Sequence, residues 1–126
     1  MLWFAVALGG ALGALARWSI ALIFPPSPGF ITGTLVCNLA GSYALGRLQR
    51  KAAGGRWPAW AVHGIGTGML GAFTTMSAFG WETWTLLYDR RWAEAIVYVV
   101  ASGTLGPLAA HLGLSKPGTS RESEVR

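Results

Sequence analysis

Gly64-Ile65-Gly66-Thr67-Gly68-Met69-Leu70-Gly71-Ala72-Phe73-Thr74-Thr75-Met76-Ser77-Ala78-Phe79-Gly80-Trp81-Glu82-Thr83 is the stretch whose reading decides the fold. It lies inside an apolar segment, residues 59–88. At about 1.5 Å per residue, roughly 30 residues would make a helix of about 45 Å, well beyond the ~30 Å of bilayer hydrocarbon. Glycines cluster in it and the pair Thr74-Thr75 sits near its centre. A helix interrupted there frees backbone carbonyls, and because hydrocarbon cannot satisfy them they must face protein or an ion. The stretch therefore predicts a helix broken near the membrane midplane, with converging carbonyls that suit a cation such as sodium. A continuous, tilted, glycine-rich helix is the alternative.

Outward from this stretch the chain is equally apolar. Hydrophobic residues make up 52% of the 126, and only 12% are Asp, Glu, Lys or Arg, about half the share usual in soluble domains. Arg17 is the only ionisable residue between Trp3 and Phe24, and none lies between Phe30 and Leu45. Residues 2–24, 30–47, 59–88 and 93–114 read as spans, which predicts an all-α integral membrane protein with four transmembrane helices in residues 1–114. Pro25-Pro26-Ser27-Pro28-Gly29 cannot continue a helix and separates the first two. The polar segment 115–126 is expected to be a disordered tail. A cleaved secretory signal is a poor reading of the first span, since no positive charge precedes it and Arg17 lies within it. The lone Cys37 excludes an intrachain disulfide and reads as a small packing residue.

The formal charge of +5 does not point to nucleic acid, because the basic residues sit at helix ends and in loops rather than on one soluble face. They set topology instead. Arg47, Arg50, Lys51, Arg56, Lys116, Arg121 and Arg126 lie on the side of the termini and the middle loop, against only Arg90 and Arg91 on the other. The positive-inside rule then predicts a multi-pass protein of the cell membrane with both termini cytoplasmic.

Small-residue stripes, Gly9/Gly13, Gly33/Cys37/Gly41 and Gly64/Gly68, predict close helix packing within the chain. Four short helices leave no lumen, so any transport route is expected between subunits. Polar groups at membrane depth are functional candidates. Asn38, with Thr34 one turn earlier on the same face, offers uncharged N–H donors to an anion, or else an interhelical hydrogen bond. Arg17 and Glu82 lie toward the far ends of their spans at about the same depth. They could pair, or Arg17 could line a water-filled vestibule. Tyr98 and Ser102 share a face, and Pro107 is expected to kink the last helix and free the Gly103 carbonyl. His63 and His111 read as interfacial or packing residues. No paired carboxylates, metal-ligand cluster or phosphate loop is present, and Ser77 and Ser102 have no evident base, so the chain does not read as an enzyme.

Three ordered motifs carry a resemblance. Gly9-Gly10-Ala11-Leu12-Gly13-Ala14-Leu15-Ala16-Arg17-Trp18 is similar to the first-helix signature of the Fluc (CrcB) fluoride channel family. Gly33-Thr34-Leu35-Val36-Cys37-Asn38-Leu39-Ala40-Gly41-Ser42 resembles the second, and Gly71-Ala72-Phe73-Thr74-Thr75-Met76-Ser77-Ala78-Phe79, followed by Glu82, the third. The resemblance implies passive fluoride export that protects the cell, through an antiparallel dual-topology dimer with two pores at the subunit interface. It also implies a structural sodium held by the carbonyls of Gly71 and Thr74 from both chains. Asn38 would donate to fluoride, Tyr98 and Ser102 would continue a polar track, and pore phenylalanines would fall at positions 76 and 79. Met76 departs from that pattern, and Gly106 stands at a position where the track would offer another hydroxyl. The alternatives are a small proton-coupled multidrug exporter, which wants a first-helix carboxylate that this chain lacks, and a non-transport membrane assembly subunit. The seven-to-two Lys/Arg bias also favours one orientation, and hence a heterodimer with an oppositely biased paralogue rather than a homodimer.

Overall fold

A computed structural model describes residues 1–24 and 32–115. The proline-rich turn and the polar tail lie outside these. All regular structure among the described residues is helical: α1 (Leu2–Ile23), α2 (Thr32–Ala52), α3 (Ala59–His63), a π-helical stretch (Gly64–Leu70), α4 (Gly71–Phe73), α5 (Met76–Tyr88) and α6 (Trp92–Leu114). The long segment 59–88 is interrupted at Thr74 (ψ 154°) and Thr75 (φ −147°, ψ 128°), both extended, where the sequence places a break.

One boundary differs from expectation. α2 runs past Arg47 to Ala52, because Arg50 and Lys51 in its last turn complement the negative end of the helix dipole. It stops before Gly54-Gly55, where Gly55 takes a φ of 68° that glycine adopts without steric cost. α6 runs as one helix through Pro107.

The helices meet backbone to backbone. α1 lies along the π-helical stretch and α2 along α6. A Cβ on Gly13 would strike the Met69 carbonyl, and one on Gly46 the Ala110 carbonyl. The stripes of α1 and the third segment are thus used within the chain. Gly41 serves the break directly: its missing side chain makes room for the Thr74 methyl.

The buried core is small, formed by Leu86, Ala95 and Tyr98 with Leu35, Phe79 and Leu87 around them. Many leucines and valines and all seven tryptophans are exposed. Trp3, Trp57 and Trp60 belong to one end of the bundle, and Trp84, Tyr88 and Trp92 to the other, the arrangement of aromatic belts at two bilayer interfaces. α1 and α6 are each long and apolar enough to cross a membrane.

Replacing Gly13 by Val should destabilise the bundle by about 1–3 kcal/mol or more, through overpacking against the Met69 backbone. Gly10→Ala, where a Cβ meets open space, should leave the melting temperature in detergent unchanged or higher. Equal losses in both variants would contradict this packing.

Candidate functional site

The site is built on the backbone groups that the break releases. In a continuous helix the Thr75 N–H would donate to the Gly71 carbonyl. Here it donates to Asn38 Oδ1 at 2.8 Å, and Asn38 Nδ2 donates back to the Thr75 carbonyl at 3.0 Å. This reciprocal pair ties α2 to the extended turn. α5 then starts with Thr75 as its N-cap, the hydroxyl accepting from the Ala78 N–H at 3.2 Å, with Ser77 Oγ 3.2 Å away. On the other side of the break the Thr74 hydroxyl and N–H both donate to the Leu70 carbonyl, each at 3.0 Å. Arg17 Nε donates to the Ala72 carbonyl at 3.1 Å, placing a cation at the negative end of the half-helix.

The sequence left Asn38 open between anion donor and interhelical glue. The structure uses its carbonyl and one N–H as glue. An amide has a second N–H, and Asn38 also lines a groove of about 560 Å³ beside the break. Met76, Phe79, Ser102 and Gly106 share that groove, as do Gly71 and Thr74. Met76 is 77% exposed, and the Ser102 hydroxyl oxygen is buried with no partner among the described residues. Ser77 does not line the groove.

Thr34 and Tyr98 are placed differently. The Thr34 hydroxyl donates to Glu82 Oε1 and the Tyr98 hydroxyl to Glu82 Oε2, both at 2.6 Å. One carboxylate thus joins α2, α5 and α6. Phe79 stacks on Tyr98 with ring centroids 5.0 Å apart, so its ring connects this cluster to the groove. Among the described residues, Arg17 and Glu82 form no ion pair. α1 packs on the first half of the third segment, so Arg17 meets the C-terminal end of α4, while Glu82, beyond the break, faces α2 and α6.

Three features escaped the sequence reading: the Asn38–Thr75 clamp, the Arg17 cap, and the convergence of two hydroxyls on Glu82. The last had a signal, since a lone carboxylate at membrane depth needs donors and Thr34 and Tyr98 are hydroxyl-bearing residues on neighbouring spans. Outside the membrane segments, the hydrogen bond that Arg91 donates to the Glu94 carboxylate raises the guanidinium above its ordinary pKa.

Residues 4–114 match the family described as CrcB-like protein, Camphor Resistance (CrcB). The chain belongs to the CrcB family. A CrcB relative from Geobacillus kaustophilus, named fluoride-specific ion channel FluC 1, is 40% identical over 109 residues, 86% of this chain and 90% of the relative. The fluoride-specific ion channel FluC of Saccharophagus degradans is 44% identical over 110 residues, covering 83% and 80% of the two chains. A second Geobacillus kaustophilus protein, fluoride-specific ion channel FluC 2, is 33% identical over 131 residues and covers 99% of both.

Asn38→Ala in this CrcB protein leaves a half-buried backbone N–H and carbonyl at Thr75 without partners. The expected loss is about 2–5 kcal/mol of stability, read as a lower melting temperature in detergent. Asn38→Asp, which keeps the acceptor and loses the donor, should fall between. Unchanged stability in Asn38→Ala would contradict the clamp.

Proposed function

We propose that this chain is a subunit of a fluoride-selective ion channel, which lets cytoplasmic fluoride leave the cell down its gradient and so limits its toxicity. One observation of the site carries the reading: uncharged donors gather beside a broken helix in a membrane protein whose relatives are named as fluoride-specific channels. The second Asn38 N–H and the unpartnered Ser102 hydroxyl line one groove with the Phe79 ring, whose partially positive edge suits an anion. A small, strongly hydrated halide exchanges water for such donors in a narrow path, and larger anions fit less well. Thr34 and Tyr98 hold hydroxyl donors on Glu82 at the next level, where fluoride arriving from the groove competes with the carboxylate for the same hydrogens. Arg17, close to the break, adds positive potential on the approach.

The working unit is a dimer of opposed subunits with two pores between them. The groove is open in one chain, and Gly103 and Gly106 beside it meet nothing within 4 Å, which supports a second subunit closing it. The Gly71 carbonyl, whose helical donor is diverted to Asn38, and the Thr74 carbonyl at the break suit a hard cation, so the residues present fit a sodium ion. When bound, that ion supplies positive charge that neutralises the half-helix end. Two carbonyls make an incomplete shell, and those of a second subunit would complete it. This subunit crosses the membrane four times with both termini cytoplasmic, and the seven-to-two Lys/Arg bias supports pairing with an oppositely biased paralogue inserted the other way round. The relatives numbered FluC 1 and FluC 2 in one organism accord with paired genes.

Liposomes containing the purified chain, alone and with a paralogue, should release fluoride and retain chloride, as read with ion-selective electrodes. Tyr98→Phe removes one donor from Glu82 and should cost about 1.5–3 kcal/mol in stability, together with slower fluoride release. Chloride release as fast as fluoride release contradicts the reading. Proton flux driven by hydrophobic cations would assign the chain to an exporter instead.

A further inference from the structure

The two ends of the bundle differ in electrostatic character. At the α5–α6 end, Asp89 and Glu94 balance Arg90 and Arg91, and Arg91 Nε donates to Glu94 at 2.8 Å within an ion pair. At the α2–α3 corner, Arg47, Arg50, Lys51 and Arg56 pair with no acidic side chain among the described residues. Arg50 is partly engaged, donating from Nη1 to the Ser115 carbonyl at the end of α6. Arg47 lies one turn before Lys51 on α2, and the tight turn at Gly55 returns the chain so that Arg56 follows on the same corner. Lys51 and Arg56 are exposed, as are Trp57 and Trp60 directly after them.

Cations alone would satisfy the topology rule while remaining solvated. The exposed indoles add a second element, since Trp57 and Trp60 stand beside these cations and carry N–H donors of the kind that anchor tryptophan to phosphate and ester oxygens at a bilayer interface. We infer that the α2–α3 corner is a binding surface for anionic phospholipid, with Lys51 and Arg56 on the phosphodiester and Trp57 and Trp60 anchoring the chain at the glycerol level. Its chemistry is that of a juxtamembrane basic cluster, in which each cation contributes roughly fivefold to retention of an anionic lipid. The corner therefore holds this end of the subunit in the leaflet richer in anionic lipid. The surface is separate from the groove and from the Glu82 cluster, so it stands whether or not the chain conducts fluoride.

Native mass spectrometry of the full chain in detergent, titrated with phosphatidylglycerol or phosphatidylcholine, tests this. The unmodified chain should retain phosphatidylglycerol preferentially, and Lys51→Gln with Arg56→Gln should weaken that retention by about twentyfold. Lys51→Arg with Arg56→Lys keeps the charges and should keep the retention, as should Arg90→Gln at the opposite end. Soluble glycerol 3-phosphate should fail to displace the lipid. Equal retention of the two lipids by the unmodified chain overturns the inference, even if the double Gln variant cannot be purified. Undiminished retention in that variant, equal loss in Arg90→Gln, or displacement by glycerol 3-phosphate overturns it too.

Discussion

An interrupted helix in a bilayer must satisfy its own backbone, because no water is at hand to do so. At Thr74 and Thr75 this chain meets that constraint with side chains from two other helices. Asn38 takes both backbone groups of Thr75, and Arg17 takes the Ala72 carbonyl. An unpaired amide group in hydrocarbon costs several kcal/mol, so these contacts fix where the helix breaks and how its halves sit. Gly41 and the glycines of α1 belong to the same solution, since they let α2 and α1 come close enough for Asn38 and Arg17 to reach.

The proposed function depends on the same exchange. Diverting the Thr75 N–H to Asn38 leaves the Gly71 carbonyl without its helical donor, and the extended turn opens the groove lined by Asn38, Phe79 and Ser102. Beyond the break, α5 starts afresh with its own cap, which aims Glu82 at Thr34 and Tyr98 rather than at α1. One structural element thus separates the carbonyls that flank the break from a set of uncharged donors. A subunit in which the third segment ran as one helix would have neither.

Much of this was legible in the sequence, for identifiable reasons. The break could be read because segment length is set against a fixed hydrocarbon thickness, and Thr-Thr among glycines marks the weak point. The packing role of the glycine stripes in α1 was readable from spacing alone. The role of Asn38 was not decidable, because the same amide that binds an anion can clamp a backbone. The π-helical stretch along α1 carried no signal, since neither spacing nor composition marks a π-turn within an apolar, glycine-rich segment. The expected meeting of Arg17 with Glu82 used depth alone and lacked helix rotation. Once the helix breaks between Ala72 and Glu82, depth no longer says which neighbour each side of it faces.

Solid-state NMR of the chain in lipid bilayers tests the central claim most directly, through the Cα and Cβ chemical shifts of residues 71–78. The structure predicts extended values at Thr74 and Thr75 with helical values on both sides. Helical shifts throughout would mean that the third segment crosses unbroken, and the account of clamp, groove and ion site would fail with it.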